Sequence, residues 1–196
     1  MDQLLSEAYE RFEAFRDALK TRELRQADAM TLSTCSASGR PTSRIVLLRG
    51  RDQRGFVFYT NSLSRKGKQL AENPYAALCF YDDQGERQVL IDGKVDRLED
   101  QASDRYWNSR ARGSRIGAWA SAQSDVLPDR ATLEEKVAEF EQLFEGVEQV
   151  PRPEHWFGYR LVPERIEFWH GRPPRLHDRD VYELKDDRWV KYRLYP

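Results

Sequence analysis

The run Met30-Thr31-Leu32-Ser33-Thr34-Cys35-Ser36-Ala37-Ser38-Gly39-Arg40-Pro41-Thr42-Ser43-Arg44-Ile45-Val46-Leu47-Leu48 decides the fold class. Two short segments rich in Thr, Val, Ile and Leu flank Ser38-Gly39-Arg40-Pro41, a turn signal, and that order marks paired strands. The rhythm continues outward: strands are predicted near 29–35, 43–49, 55–60, 75–81 and 86–97. After Val150-Pro151-Arg152-Pro153, four aromatic-rich strands are predicted near 156–162, 165–170, 179–184 and 188–194. Many short strands with few devices to protect exposed edges predict a mainly β, antiparallel barrel, because closure removes edges.

Helices are expected only at the periphery. Leu5, Ala8, Tyr9, Phe12, Phe15 and Leu19 recur at three- and four-residue steps, one face of an N-terminal helix within 1–24. Ser64 caps a short helix over 64–70 that ends before Asn73-Pro74. Residues 99–109 and 131–144 also read as helices, the second opened by Thr132 with Glu135 at capping-box spacing. No repeat, low-complexity tract or linker divides the chain, so 1–196 is expected to be a single domain.

Composition narrows the function. A chain of 196 residues buries about 70% of its unfolded surface. The 32 Lys+Arg nearly cancel 33 Asp+Glu, which leaves no nucleic-acid footprint. No apolar run approaches the roughly 18 residues of a membrane span, and no signal peptide opens the chain, so a cytoplasmic protein is expected. Cys35 and Cys79 read as core thiols, and His155, His170 and His177 do not form a metal set. Nucleotide-loop, zinc-protease and serine-hydrolase motifs are missing.

What remains is a set of cations at strand ends and helix starts, beside aromatic residues. Arg65 and Lys66 sit in the first turn of a helix, where two cations oppose the dipole unless an anion binds. Arg44 and Arg49 flank Ile45-Val46-Leu47-Leu48 and point to opposite faces unless a bulge intervenes. Tyr106, Arg110 and Ser114 line one face if a helix continues through them, a phosphate clamp that Gly113 makes conditional. Arg175, His177 and Arg179 alternate on an extended chain and project together. A surface ion cluster using Asp178 or Asp180 is the competing reading of that last group.

Arg44-Ile45-Val46-Leu47-Leu48, Phe58-Tyr59-Thr60-Asn61, Ser64-Arg65-Lys66, Glu86-Arg87-Gln88-Val89, Ser114-Arg115-Ile116-Gly117-Ala118-Trp119 and Arg175-Leu176-His177-Asp178-Arg179 together resemble the pyridoxine 5'-phosphate oxidase family. The resemblance runs from about residue 29 to the terminus. It implies a split β-barrel of Greek-key type, a homodimer, and FMN bound between subunits, with strands of 156–196 completing the site. The FMN ligands it implies are Arg44, Ile45, Val46, Leu47, Leu48, Arg49, Tyr59, Thr60, Arg65, Lys66, Gln88, Gln123, Ser124, Trp169 and Arg179. Substrate contacts would be Arg49, Tyr106, Arg110, Ser114, Arg175 and His177, with Arg175 and His177 nearest the chemistry.

The implied reaction is oxidation of pyridoxine or pyridoxamine 5'-phosphate to pyridoxal 5'-phosphate, with dioxygen as acceptor and peroxide as product. Three positions depart from the family pattern: Arg49 stands for a usual Lys, Ala111 for a Pro and Phe157 for a Gly. The segment that closes over substrate in longer relatives is expected to be missing. Two alternatives stay open, a same-fold flavin oxidase acting on a phenazine precursor and a non-catalytic barrel carrying FMN or pyridoxal phosphate.

Overall fold

The computed structural model describes residues 2–22 and 26–196. Met1 and residues 23–24, part of the expected N-terminal helical segment, lie outside that description. Nine strands form one antiparallel sheet: β1 (Ala29–Cys35), β2 (Pro41–Leu47), β3 (Gly50–Asp52), β4 (Gly55–Asn61), β5 (Tyr75–Asp82), β6 (Arg87–Arg97), β7 (Trp156–His170), β8 (Asp178–Lys185) and β9 (Arg188–Arg193). The order is β2-β1-β5-β6-β7-β4-β3, with β8 and β9 continuing from β7. The sheet curls into a split barrel. Its inner face is a core that includes Leu32, Phe56, Phe58, Leu78, Ile91 and Leu161, all 0% exposed.

The two strands expected over 156–170 are one. β7 pairs with β6 along its length, while its first half pairs with β4 and its second with β8. The register shifts at Asp92/Gly93, and Glu164 is the extra residue of a bulge that bends β7. Gly93 is required there: a Cβ would lie 2.0 Å from the Val162 carbonyl oxygen. Pro163, without an N–H, is tolerated at the bulge, so a proline that reads as a strand break marks a bend instead.

Among the described residues five helices surround the sheet: α1 (Gln3–Lys20), α2 (Arg65–Glu72), α3 (Asp100–Ser109), α4 (Arg112–Ala120) and α5 (Arg130–Leu143). α1 buries Ala8, Tyr9, Phe12, Phe15 and Leu19, the stripe read from the sequence. Phe12 meets Phe56 and Phe80 edge-on at 4.9 and 5.1 Å, which fixes the helix across the barrel. Ser64 caps α2 by accepting from the Gly67 N–H at 3.3 Å. α5 begins earlier than expected: Asp129, not Thr132, is the cap, accepting from the Thr132 N–H at 2.8 Å. A second cluster of Trp107, Ile116, Phe144, Val150 and Trp156 joins α3, α4 and the start of β7.

Candidate functional site

A cavity of about 570 Å³ opens where β2, β4, α2 and the α3–α4 junction meet. Arg44, Ile45, Val46, Leu47 and Arg49 line it from one side, and Tyr59, Thr60 and Lys66 from another. Tyr106, Arg110, Ser114 and Gln123 complete the predicted residues found there. Among the described residues that line it, four are cations and none is acidic.

Breaks in secondary structure produce this convergence. β2 stops at Leu47, so the strand alternation that would send Arg44 and Arg49 to opposite faces does not reach Arg49. Leu48 turns into the core at 0% exposure, and its side chain does not line the cavity. The condition set on Tyr106, Arg110 and Ser114, a helix continuing past 109, is not met, and two helices meet there instead. α3 ends at Ser109 and Arg110 takes extended geometry (φ −76°, ψ 146°), yet the three side chains still share one cavity. Gly67 lets the start of α2 approach closely, since a Cβ there would sit 2.3 Å from the Ser62 oxygen.

Within the cavity Arg44 and Lys66 are held by neutral groups. Arg44 donates to the Leu32 carbonyl at 3.0 Å and to Thr34 Oγ1 at 2.7 Å, with Thr42 also in contact. Lys66 donates to Gln123 Oε1 at 2.6 Å and to Ser64 Oγ at 3.2 Å. Burial lowers the pKa of both, with Arg65 adding to the effect on Arg44 and Arg44 to that on Lys66, which falls to about 8. Burial also lowers that of Arg110, reinforced by Arg49 and Arg115. Four positive charges confined without an acid favour an anionic ligand on electrostatic grounds. Arg65 is exposed and lies outside the cavity, as does Ser124, held at φ 78°.

Gln88, Trp169, Arg175, His177 and Arg179 do not line this cavity. Gln88, Trp169 and Arg179 are instead direct cross-strand neighbours on β6, β7 and β8, and therefore project from one face. His177 packs its ring 4.8 Å from Trp169, and its Nδ1 accepts from the Arg172 N–H at 3.1 Å. That contact makes Nε2 the protonated nitrogen of the neutral ring. Arg175 is not on an extended strand: it lies in a turn at φ 89°, exposed, with its N–H bonded to the Arg172 carbonyl.

The competing ion-cluster reading holds for neighbours of this row rather than for all of it. Arg172 pairs with Asp178 at 2.9 Å. Arg179 pairs with Glu167, a residue absent from the sequence-based set, through Nε at 2.7 Å and Nη2 at 3.1 Å. Glu167 is 2% exposed. Burial pushes its carboxyl pKa up, but the hydrogen bonds from Arg179 and Arg165 outweigh this and leave it lowered. Its alternation with Arg165 and Trp169 was the available signal. Trp156, also missed, lines the cavity and stacks on Tyr59 at 5.3 Å.

Two family models match the chain: pyridoxamine 5'-phosphate oxidase over residues 15–144, and pyridoxine 5'-phosphate oxidase C-terminal dimerisation region over 156–196. A pyridoxine/pyridoxamine 5'-phosphate oxidase of Alkalilimnicola ehrlichii is 51% identical over 195 residues, covering 99% of this chain and 100% of the relative. One from Synechocystis sp. is 52% identical over 174 residues, covering 89% and 81%. Among solved structures, PhzG from Burkholderia lata, in complex with tetrahydrophenazine-1-carboxylic acid, superposes with a TM-score of 0.86 at 36% identity, covering 96% and 90%.

Proposed function

Because the chain belongs to the pyridoxamine 5'-phosphate oxidase family, we propose that it oxidises pyridoxine or pyridoxamine 5'-phosphate to pyridoxal 5'-phosphate, with FMN as cofactor and dioxygen as acceptor. The observation that carries this reading is the acid-free cavity with Arg44, Arg49, Lys66 and Arg110 on its walls. A phosphate monoester carries about −1.5 to −2 charge at neutral pH, so two of them match four cations. Arg44 and Lys66, beside α2, suit the FMN phosphate. Arg49, Tyr106, Arg110 and Ser114 suit that of the substrate. FMN, when bound, supplies the hydride acceptor and the link to dioxygen.

The chain's own residues bind and orient. The row of Gln88, Trp169 and Arg179 offers an amide, an aromatic wall and a cation from one sheet face, and His177 adds an N–H donor for the substrate's polar edge. This row lies off the cationic cavity, so in this reading one protomer's row completes its partner's cavity. The match of 156–196 to a dimerisation region supports a homodimer. We read 1–196 as one unit, and the free thiols of Cys35 and Cys79 accord with a reducing, cytoplasmic setting. Among the described residues no helix is long and apolar enough to cross a membrane.

Peroxide release from pyridoxine 5'-phosphate, and its loss with unphosphorylated pyridoxine, tests the assignment. A carrier barrel would release none, and an oxidase for carboxylated tricycles would not distinguish the two. Arg49→Lys is expected to keep activity because charge is retained, whereas Arg49→Ala raises the KM about ten- to a hundredfold, the worth of one charge-assisted hydrogen bond. An Ala variant as good as the parent would remove residue 49 from the phosphate site.

Lys66 gives a pH prediction. In the ligand-free fold it loses its proton near pH 8, whereas the unfolded chain keeps it to about 10.5. The burial cost to stability is therefore present below pH 8 and relieved as pH climbs toward 10.5. A bound phosphate favours the ammonium, so FMN binding takes up a proton in that window and weakens as pH rises through it. Calorimetric titration at pH 9 in buffers of different ionisation enthalpy measures this uptake, and Lys66→Met should abolish it.

A further inference from the structure

Arg110 is half-buried, and its Nη1 has neither solvent contact nor a hydrogen-bond partner among the described residues. Among the described residues no acidic one lines the cavity to pair with it. Its guanidinium carbon lies instead 4.8 Å from the Trp156 ring centroid and 5.0 Å from that of Trp107. The two indoles meet at 4.9 Å with 68° between their planes, forming a corner. Trp107 is anchored by donating its Nε1–H to the Val150 carbonyl at 2.8 Å. Trp156 is also held by parallel stacking with Tyr59, which in turn stacks on Tyr106 at 3.9 Å and 17°. The break between α3 and α4 sets Arg110 in extended geometry beside this corner.

We propose that Trp156, backed by Trp107, is a positioning residue that aims Arg110 at the substrate phosphate by cation–π attraction rather than by an ion pair. This rests on the assignment of Arg110 to that phosphate. A carboxylate partner would also hold the guanidinium, but it would neutralise the charge and occupy the N–H donors. An aromatic face attracts the cation through its quadrupole and leaves the donors free. The corner thereby keeps an uncompensated, oriented charge in a partly dry site, and a dianionic monoester gains more from it than an unphosphorylated alcohol or amine. Trp156 thus contributes to specificity without touching the reacting carbon.

The test uses the full-length, FMN-loaded protein with pyridoxine 5'-phosphate. Trp156→Phe retains a ring face and should leave KM nearly unchanged. Trp156→Leu should raise KM about 3- to 30-fold, the range of a desolvated cation–π contact, with kcat at saturation and flavin content preserved. The inhibition constant of inorganic phosphate should rise in parallel, and Trp156→Leu should add nothing in an Arg110→Ala background. Because Trp156→Leu also opens a packed cluster, fluorinated tryptophans placed at position 156 alone supply an isosteric series, along which KM should climb with fluorine number. If Arg110→Ala raises KM but the fluorinated series is flat, or Trp156→Leu and Arg110→Ala are additive, the positioning role is overturned. If Arg110→Ala itself leaves KM and phosphate inhibition unchanged, the phosphate assignment fails and the inference with it.

Discussion

Arg175→Ala is expected to slow anaerobic flavin reduction by pyridoxine 5'-phosphate about a hundredfold while leaving the amount of bound flavin unchanged. Arg175 is exposed in a turn, and none of the observed hydrogen bonds or ion pairs uses its side chain among the described residues, so its removal breaks no internal contact of the protomer. Its φ of 89° is strained for any residue with a Cβ, and Ala keeps that strain. The measured loss therefore reports the guanidinium alone. Arg179→Ala should behave differently. Arg179 donates twice to Glu167 and stands across from Trp169, so its loss removes the flavin contact proposed for it and leaves a 2%-exposed carboxylate with Arg165 as its remaining partner. Flavin should be lost from this variant, with a stability cost of about 1–3 kcal/mol. A plain surface ion cluster predicts changes of about 0–1 kcal/mol and ordinary kinetics in both.

Leu90→Arg should yield folded monomers that do not retain FMN. Ile45, Thr31, Cys79 and Leu90 are cross-strand partners in one row, on the sheet face opposite the main core. Tyr81 lies on that face two residues from Cys79 and next to Gln88. Ile45 and Tyr81 are 65% and 58% exposed, an apolar surface suited to a second copy. Ile45 also lines the cationic cavity, which places the cavity at the margin of the same face. A charge at position 90 disrupts association without entering the core. FMN binding only the dimer adds about 2.7 kcal/mol at a hundredfold excess over its dissociation constant, so dissociation and cofactor loss are linked. Sedimentation with flavin absorbance checks this, and a monomer that binds FMN tightly would refute the shared site.

Much of the architecture was legible because it rests on local patterns. The α1 stripe, the Ser64 cap and the strands on either side of Gly39 follow from periodicity and turn chemistry. What was not legible depends on partners distant in sequence. Pro163 reads as a break until Gly93 is seen opposite it. The end of the 99–109 helix was legible, but whether Arg110 and Ser114 would share a face with Tyr106 depended on a continuation that α3, ending at Ser109, does not make. Arg175 alternates with His177 and Arg179 in sequence, but it sits in a turn at φ 89°, and of the three only Arg179 lies in a strand. Leu48 was grouped with its neighbours by family likeness, while the end of β2 sends it into the core. Glu167 and Trp156 gain meaning only through the residues they touch, Arg179 in one case and Tyr59 with Arg110 in the other.

The most direct test of the central claim is the visible spectrum of the purified protein before and after anaerobic addition of pyridoxine 5'-phosphate. The expected result is a flavin band that bleaches with substrate, returns on admitting air with release of peroxide, and does not bleach with unphosphorylated pyridoxine at the same concentration. A flavin band that persists in the presence of pyridoxine and pyridoxamine 5'-phosphates, or a protein that binds no flavin, would contradict it.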